Sequence, residues 1–176
     1  MLDLVANEGF PYPISDLRFC KQFDIASGYV REFPGIQPLG LANENAPMNF
    51  DVITTEYSGT HSNLLESGIS ALVFNPYFRK GNVICYYESN FPEPVPTQCL
   101  NLSFPALKGA SGAPVKVEQT GLVVGMIVGN IEEELLPAQI ERIFTKDGCI
   151  EERKYLLPMA RSISWRHLAD FVNSGR

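Results

Sequence analysis

The chain has 176 residues, 45% hydrophobic and 19% charged, enough for one well-buried globular domain and too apolar for a disordered segment. With 20 acidic and 14 scattered basic residues the net charge is −6, which excludes a nucleic-acid surface built on clustered Lys and Arg. No apolar run approaches the roughly 20 residues that a membrane helix needs, and the opening residues, MLDLVANEGF, lack the basic and apolar regions of a secretion signal.

A cytoplasmic location is therefore expected, with Cys20, Cys85, Cys99 and Cys149 as reduced thiols and Cys85 in the core. These cysteines form no Cys-x-x-Cys pair and only two histidines accompany them, so neither a metal nor another cofactor is expected.

Residues 1–19 carry Gly9, Pro11 and Pro13 without a clear period and read as an irregular lead-in. A short apolar segment follows Phe23 and Asp24 and continues as a strand to Phe33. Residues 34–49, rich in Pro, Gly and Asn, read as a connector. Strands are then predicted over 50–57, 68–74 and 81–87, the first a β-branched run with partial alternation. Pro92, Pro94 and Pro96 punctuate a loop before a further strand over 99–104.

That strand leads into Lys108-Gly109-Ala110-Ser111-Gly112-Ala113-Pro114, and a second apolar block follows over 121–130. Glycines on both sides of a serine permit positive φ and let backbone N–H groups converge on one point, as a developing oxyanion requires. Ser111 is thus the candidate nucleophile; the plainer alternative is a Gly-rich turn in which it makes only a local hydrogen bond.

Residues 131–150, with acidic positions at 132–134 followed by Pro137, read as an excursion from the sheet with a helical turn. An edge strand is predicted over 156–160 despite Pro158. The chain closes on an amphipathic helix in which Trp165, Leu168, Ala169 and Val172 share a face, capped by Ser162 or Ser164 and ended near Gly175. Strands at this spacing with turns between them make an all-β sandwich or barrel, with enough strands after Phe50 to close one barrel.

The run from Leu102 to Asn130 resembles the nucleophile region of trypsin-like serine peptidases, the chymotrypsin-fold family that includes the bacterial HtrA-type enzymes. In that family a Gly-x-Ser-Gly-[Gly/Ala]-Pro loop precedes a strand, a turn and a Val-Gly-[Ile/Met]-[Val/Ile] strand, matched here by residues 109–114 and Val124-Gly125-Met126-Ile127. The segment Asp24-Ile25-Ala26 resembles the one whose Asp orients the catalytic histidine. As a motif alone, an Asp at a strand start is more often a turn or capping residue.

The resemblance implies an all-β, trypsin-like fold with a complete second barrel, a partial first barrel and a C-terminal α-helix. It divides residues 1–176, one peptidase domain, into a first-barrel remnant (1–35), a second barrel (48–162) and the helix (163–174). It implies hydrolysis of peptide bonds in a peptide or protein substrate. Ser111 would attack, the N–H groups of Gly109 and Ser111 would hold the oxyanion, and Asp24 would orient a histidine. Val128, Gly129 and Asn130 would pair with the substrate main chain, and residues 104–108 would form the base of its side-chain pocket.

The family's histidine precedes its Asp, yet none lies before Asp24. His61 follows the predicted strand over 50–57, and His167 is expected on the exposed side of the terminal helix; neither stands where the family has its base. The expectation is a chain that begins inside the first barrel. The alternative is a non-catalytic β-barrel module that binds peptides or a partner protein.

Overall fold

The computed structural model describes residues 3–5, 11–30, 37–64, 70–73, 75–90, 95–134, 140–144, 150–154 and 156–174. In chain order the strands are β1 (Asp3–Val5), β2 (Pro11–Cys20), β3 (Ile25–Val30), β4 (Asp51–Glu56), β5 (His61–Leu64), β6 (Ser70–Val73) and β7 (Tyr77–Ser89). They continue as β8 (Thr97–Leu102), β9 (Pro114–Val117), β10 (Val123–Glu134), β11 (Ile140–Phe144), β12 (Ile150–Lys154) and β13 (Leu156–Ser164), before helix α1 (Trp165–Asn173).

Six of these strands close a barrel in the order β10-β13-β8-β7-β4-β9, so every barrel strand finds a partner on both sides. The fold is all-β with one C-terminal helix. Side-chain alternation decides what enters the barrel: along β4, Val52, Thr54 and Glu56 are buried while the residues between them are less so. Leu100, Leu102, Val115, Val124 and Ile127 join Val52 and Val83 in the core, each burial contributing about 1.5–3 kcal/mol for the larger side chains.

The segment before β4 is bound to the barrel rather than merely connecting to it. Ala42 N–H donates to the Val123 carbonyl (2.9 Å) and Val123 N–H to that of Gly40 (2.8 Å). Ala42 and Ala46 enter the core, Tyr86 donates its hydroxyl to the Ala46 carbonyl (2.9 Å), and the Trp165 indole N–H donates to Asn45 Oδ1 (3.1 Å).

Helix α1 begins where Ser164 Oγ accepts from Arg166 N–H, which selects Ser164 over Ser162 as its cap. Its outer face meets the sheet β1-β2-β3: the Arg18 guanidinium lies 5.3 Å from the Phe171 ring centre, and the Phe23 and His167 rings stand 4.3 Å apart.

Four sequence expectations are corrected here. Within the expected irregular lead-in, Asp3–Val5 and Pro11–Cys20 are paired strands; Pro11 opens β2, where a missing N–H is tolerated, and Pro13 stands opposite Asp3, ahead of the pairing with β3 that begins at Ile14. The excursion after Asn130 is strand rather than helical turn among the described residues: β10 runs on to Glu134 beside β13, and β11 and β12 pair so that Glu141 faces Arg153 and Arg142 faces Glu152 in register. Cys85 is only half-buried, and Cys99 is the cysteine that enters the interior; Cys20, Cys85 and Cys99 are free thiols, while Cys149 lies outside the described residues.

His167 is not an exposed residue. Its Nε2 accepts the Gln98 backbone N–H at 2.8 Å, which fixes the neutral ring with its proton on Nδ1. Burial lowers its pKa, and the nearby Asp170 opposes that shift only partly. A depressed folded-state value means that the unfolded chain takes up the proton first, so this stabilisation is complete above about pH 6.5 and is lost as the pH falls below it. His167→Gln should therefore flatten the fall of the urea midpoint between about pH 7 and 5 relative to the unaltered chain. An unchanged slope would show that the ring carries no such linkage.

Candidate active site

The loop between β8 and β9 is two consecutive tight turns. Ala110 N–H donates to the Leu107 carbonyl (2.9 Å) and Ala113 N–H to that of Ala110 (3.0 Å). The third residue of each turn is a glycine, Gly109 with φ +94° and Gly112 with φ +89°, as a type II geometry requires. The shared residue, Ala110, is fully buried and anchors the loop in the core, while Ser111 occupies the second position of the second turn and is exposed.

This arrangement determines which N–H groups are free. Gly112 N–H donates to the Ile127 carbonyl (2.8 Å) and Ile127 N–H to that of Ala113 (2.9 Å), which ties the loop to β10. The N–H groups of Gly109 and Ser111 have no acceptor among the described residues. Two unbonded donors thus lie on the loop that carries the exposed serine.

A buried ion pair lies beneath the loop. The Glu56 side chain is wholly inaccessible; its Oε1 receives Arg79 Nε at 2.6 Å and the Ser58 hydroxyl at 3.1 Å. Ser58 is also the neighbour of Gly109, where an added Cβ would stand 3.3 Å from the Ser58 Cα. Glu56 therefore braces the turn on which the first glycine rests. Sequence reasoning missed this role, although the alternation Val52, Thr54, Glu56 already put the carboxylate on the inward face.

Val128, Gly129 and Asn130 continue β10 past the loop, on the stretch where its pairing with β13 shifts between Ile127 and Gly129. The Asn130 carboxamide is engaged on its own chain: Oδ1 accepts Ala106 N–H (2.7 Å) and Nδ2 donates to the Ala106 carbonyl (2.9 Å). Ala160 N–H donates to Phe104 (2.7 Å), so the segment leading to the loop is stitched to two strands.

Asp24 is not brought to Ser111 by any hydrogen bond or ion pair among the described residues. It follows the 3-10 turn Lys21–Phe23 in a left-handed conformation (φ 51°), exposed, in the sheet that meets α1. His167 is committed to Gln98, and His61 opens β5 with its side chain outside the described residues. Among the described residues there is no group of side chains fit to hold a metal ion, and no helix is long and apolar enough to cross a membrane.

No protein-family model and no curated protein sequence matches the chain. Solved structures do. Rv3671c from M. tuberculosis H37Rv, a serine-to-alanine mutant in its inactive form, superposes with a TM-score of 0.61 at 16% identity, over 94% of this chain and 65% of that one. The Rv3671c protease from M. tuberculosis in its active form superposes with a TM-score of 0.59 at 17% identity, over 92% of this chain and 57% of that one. At such identity the likeness is one of fold: a trypsin-like barrel with a C-terminal helix. The chain spans less than two thirds of either neighbour's length.

Proposed function

We propose that this chain is the serine-bearing part of a trypsin-like serine endopeptidase. The observation that carries the reading is the pair of unbonded N–H groups, Gly109 and Ser111, beside an exposed serine on a loop with its inner residue locked in the core. In this reading Ser111 Oγ attacks the carbonyl of a peptide bond, and the charge that develops on the carbonyl oxygen is received by the two N–H groups. In this reading β10 at Val128, Gly129 and Asn130, beyond its pairing with β9, pairs with the substrate main chain. The barrel from 48–162 and the helix from 163–174 form the unit that carries this site, and the sheet within 1–35 is the part of a first barrel to which Asp24 belongs. The fold shared with a protease supports this reading.

A serine hydroxyl needs a base to take its proton. No described histidine side chain stands beside Ser111, and neither His61 nor His167 is given that role, so the base is assigned to a histidine supplied from outside these 176 residues, with Asp24 as its orienting partner.

A fluorophosphonate probe tests the reading on the full chain. Labelling of the chain without its base should be slow and should vanish in Ser111→Ala, whose unfolding free energy should stay within about 0.5 kcal/mol because the side chain is exposed. His61→Ala, run alongside, should label as the unaltered chain does. Absence of labelling in a cooperatively folded chain would leave a barrel that binds peptides without cleaving them.

A further inference from the structure

We propose that Ser58 is a positioning residue for the Gly109 N–H, and that the turn carrying it, residues 57–60, governs how fast Ser111 reacts without touching the substrate. The inference rests on the reading of Ser111 as the nucleophile. A glycine at φ +94° lacks the Cβ that would narrow its own backbone freedom, so the direction of its N–H depends on what it is packed against. For Gly109 that surface is backbone. The Ser58 Cα, the Tyr57 carbonyl oxygen and the Ser58 nitrogen lie 3.3, 3.8 and 3.9 Å from where a Gly109 Cβ would stand. The peptide between Tyr57 and Ser58 is therefore the floor under the first glycine of the serine loop.

A floor positions what rests on it only as firmly as it is held. Thr60 N–H donates to the Tyr57 carbonyl (3.0 Å), which closes the turn on itself. Asn75 Nδ2 donates to the Gly59 carbonyl (3.2 Å), which ties its far side to the segment entering β7. Gly59 is packed there as well: a Cβ would stand 2.5 Å from Tyr77 Cε2 and 2.9 Å from Asn75 Cβ, so the turn cannot sink toward β7.

The remaining tie is at the residue that faces Gly109. Ser58 Oγ donates to Glu56 Oε1 (3.1 Å), and the same oxygen receives Arg79 Nε at 2.6 Å on a side chain with no accessible surface. A hydroxyl bound to a buried charged acceptor is held more strongly than one bound to a neutral group. The ion pair thus reaches the loop through one hydroxyl, and removing that hydroxyl frees the floor while leaving both charges paired.

The test is fluorophosphonate labelling of the full chain over a range of probe concentrations, which separates the limiting rate from the half-saturating concentration. In Ser58→Ala the limiting rate should fall roughly tenfold, the effect of a small misplacement of a reacting or stabilising group, at an unchanged half-saturating concentration. Ser58→Thr, which restores a hydroxyl, should recover the rate. Gly59→Ala, which must push the turn off Tyr77 and Asn75, should lower the limiting rate without Ser58 being altered. The amide signal of Gly109 should move in Ser58→Ala and return in Ser58→Thr, while that of Gly112, bonded to Ile127, stays in place. A general loss of stability would not single out one glycine or be reversed by threonine. An unchanged limiting rate in Ser58→Ala overturns the proposal, and so does a loss that Ser58→Thr fails to recover. If the unaltered chain does not label at all, the amide signals decide: a Gly109 signal that moves in Ser58→Ala keeps the positioning role and rejects the nucleophile, and one that stays rejects both.

Discussion

Arg79→Met should destabilise the chain by about 3–5 kcal/mol, read as a lower urea midpoint at unchanged slope. The size follows from where the partner sits. Glu56 has no accessible side-chain surface, and Arg79 retains 22%, so removing the guanidinium strands a carboxylate inside the barrel wall rather than releasing it to water. Its Oε2 has no hydrogen-bond partner as it is, and only the Ser58 hydroxyl would remain on Oε1.

The double variant Glu56→Gln with Arg79→Met should recover most of the loss, since a neutral amide is much cheaper to bury than an unpaired charge. Recovery would assign the cost to the stranded charge. Equal destabilisation in the single and double variants would assign it to lost packing of the Arg79 stem instead. The same single variant should also weaken labelling at Ser111, because the turn at Ser58 that Glu56 holds is the surface beneath Gly109.

The contrast between that pair and the serine loop explains what could be read from the sequence. The loop is local: two turns, each with glycine in the position that needs positive φ, are written in seven consecutive residues, and Ser164 followed by a periodic apolar face writes α1 as plainly. Strands β4, β7, β8 and the start of β10 were visible for the same reason, as apolar runs between turn residues. The braces are not local. Glu56 meets Arg79 and Asn130 meets Ala106 across more than 20 residues, and His167 meets Gln98 across 69; each depends on barrel closure, which no short-range pattern specifies.

The missed strands have a related cause. β2 opens with two prolines and β11 and β12 are mostly charged, so neither shows the apolar alternation by which strands are recognised. Their assignment rests on backbone register, with residues 141 and 142 of β11 opposite 153 and 152 of β12. Asp24 illustrates the limit of motif reading. Its three-residue segment matches a pattern, while the backbone around it, a 3-10 turn ended in a left-handed residue, is a geometry that the pattern does not specify.

Gly109→Ala should cut the rate of fluorophosphonate labelling by about 10²-fold or more, the range found when one oxyanion donor is lost. The N–H itself survives the substitution; its direction does not. At φ +94° an L-residue is strained by about 1–3 kcal/mol, and the new Cβ would stand 3.3 Å from the Ser58 Cα, a backbone atom held from below through Glu56. The loop cannot move outward either, because Ala110 is locked in the core and Gly112 is bonded to Ile127. The remaining relief is rotation of the peptide plane between Lys108 and Gly109, which turns that N–H away from the oxyanion position that the proposed function gives it. Gly112→Ala provides the comparison. It has a similar φ of +89° but nothing within 4 Å of an added Cβ, and its N–H is bonded to Ile127 rather than aimed at substrate. It should lose comparable stability with a much smaller loss of labelling. Equal loss of labelling in both variants would mean that loop strain, and not the Gly109 donor, governs reactivity at Ser111.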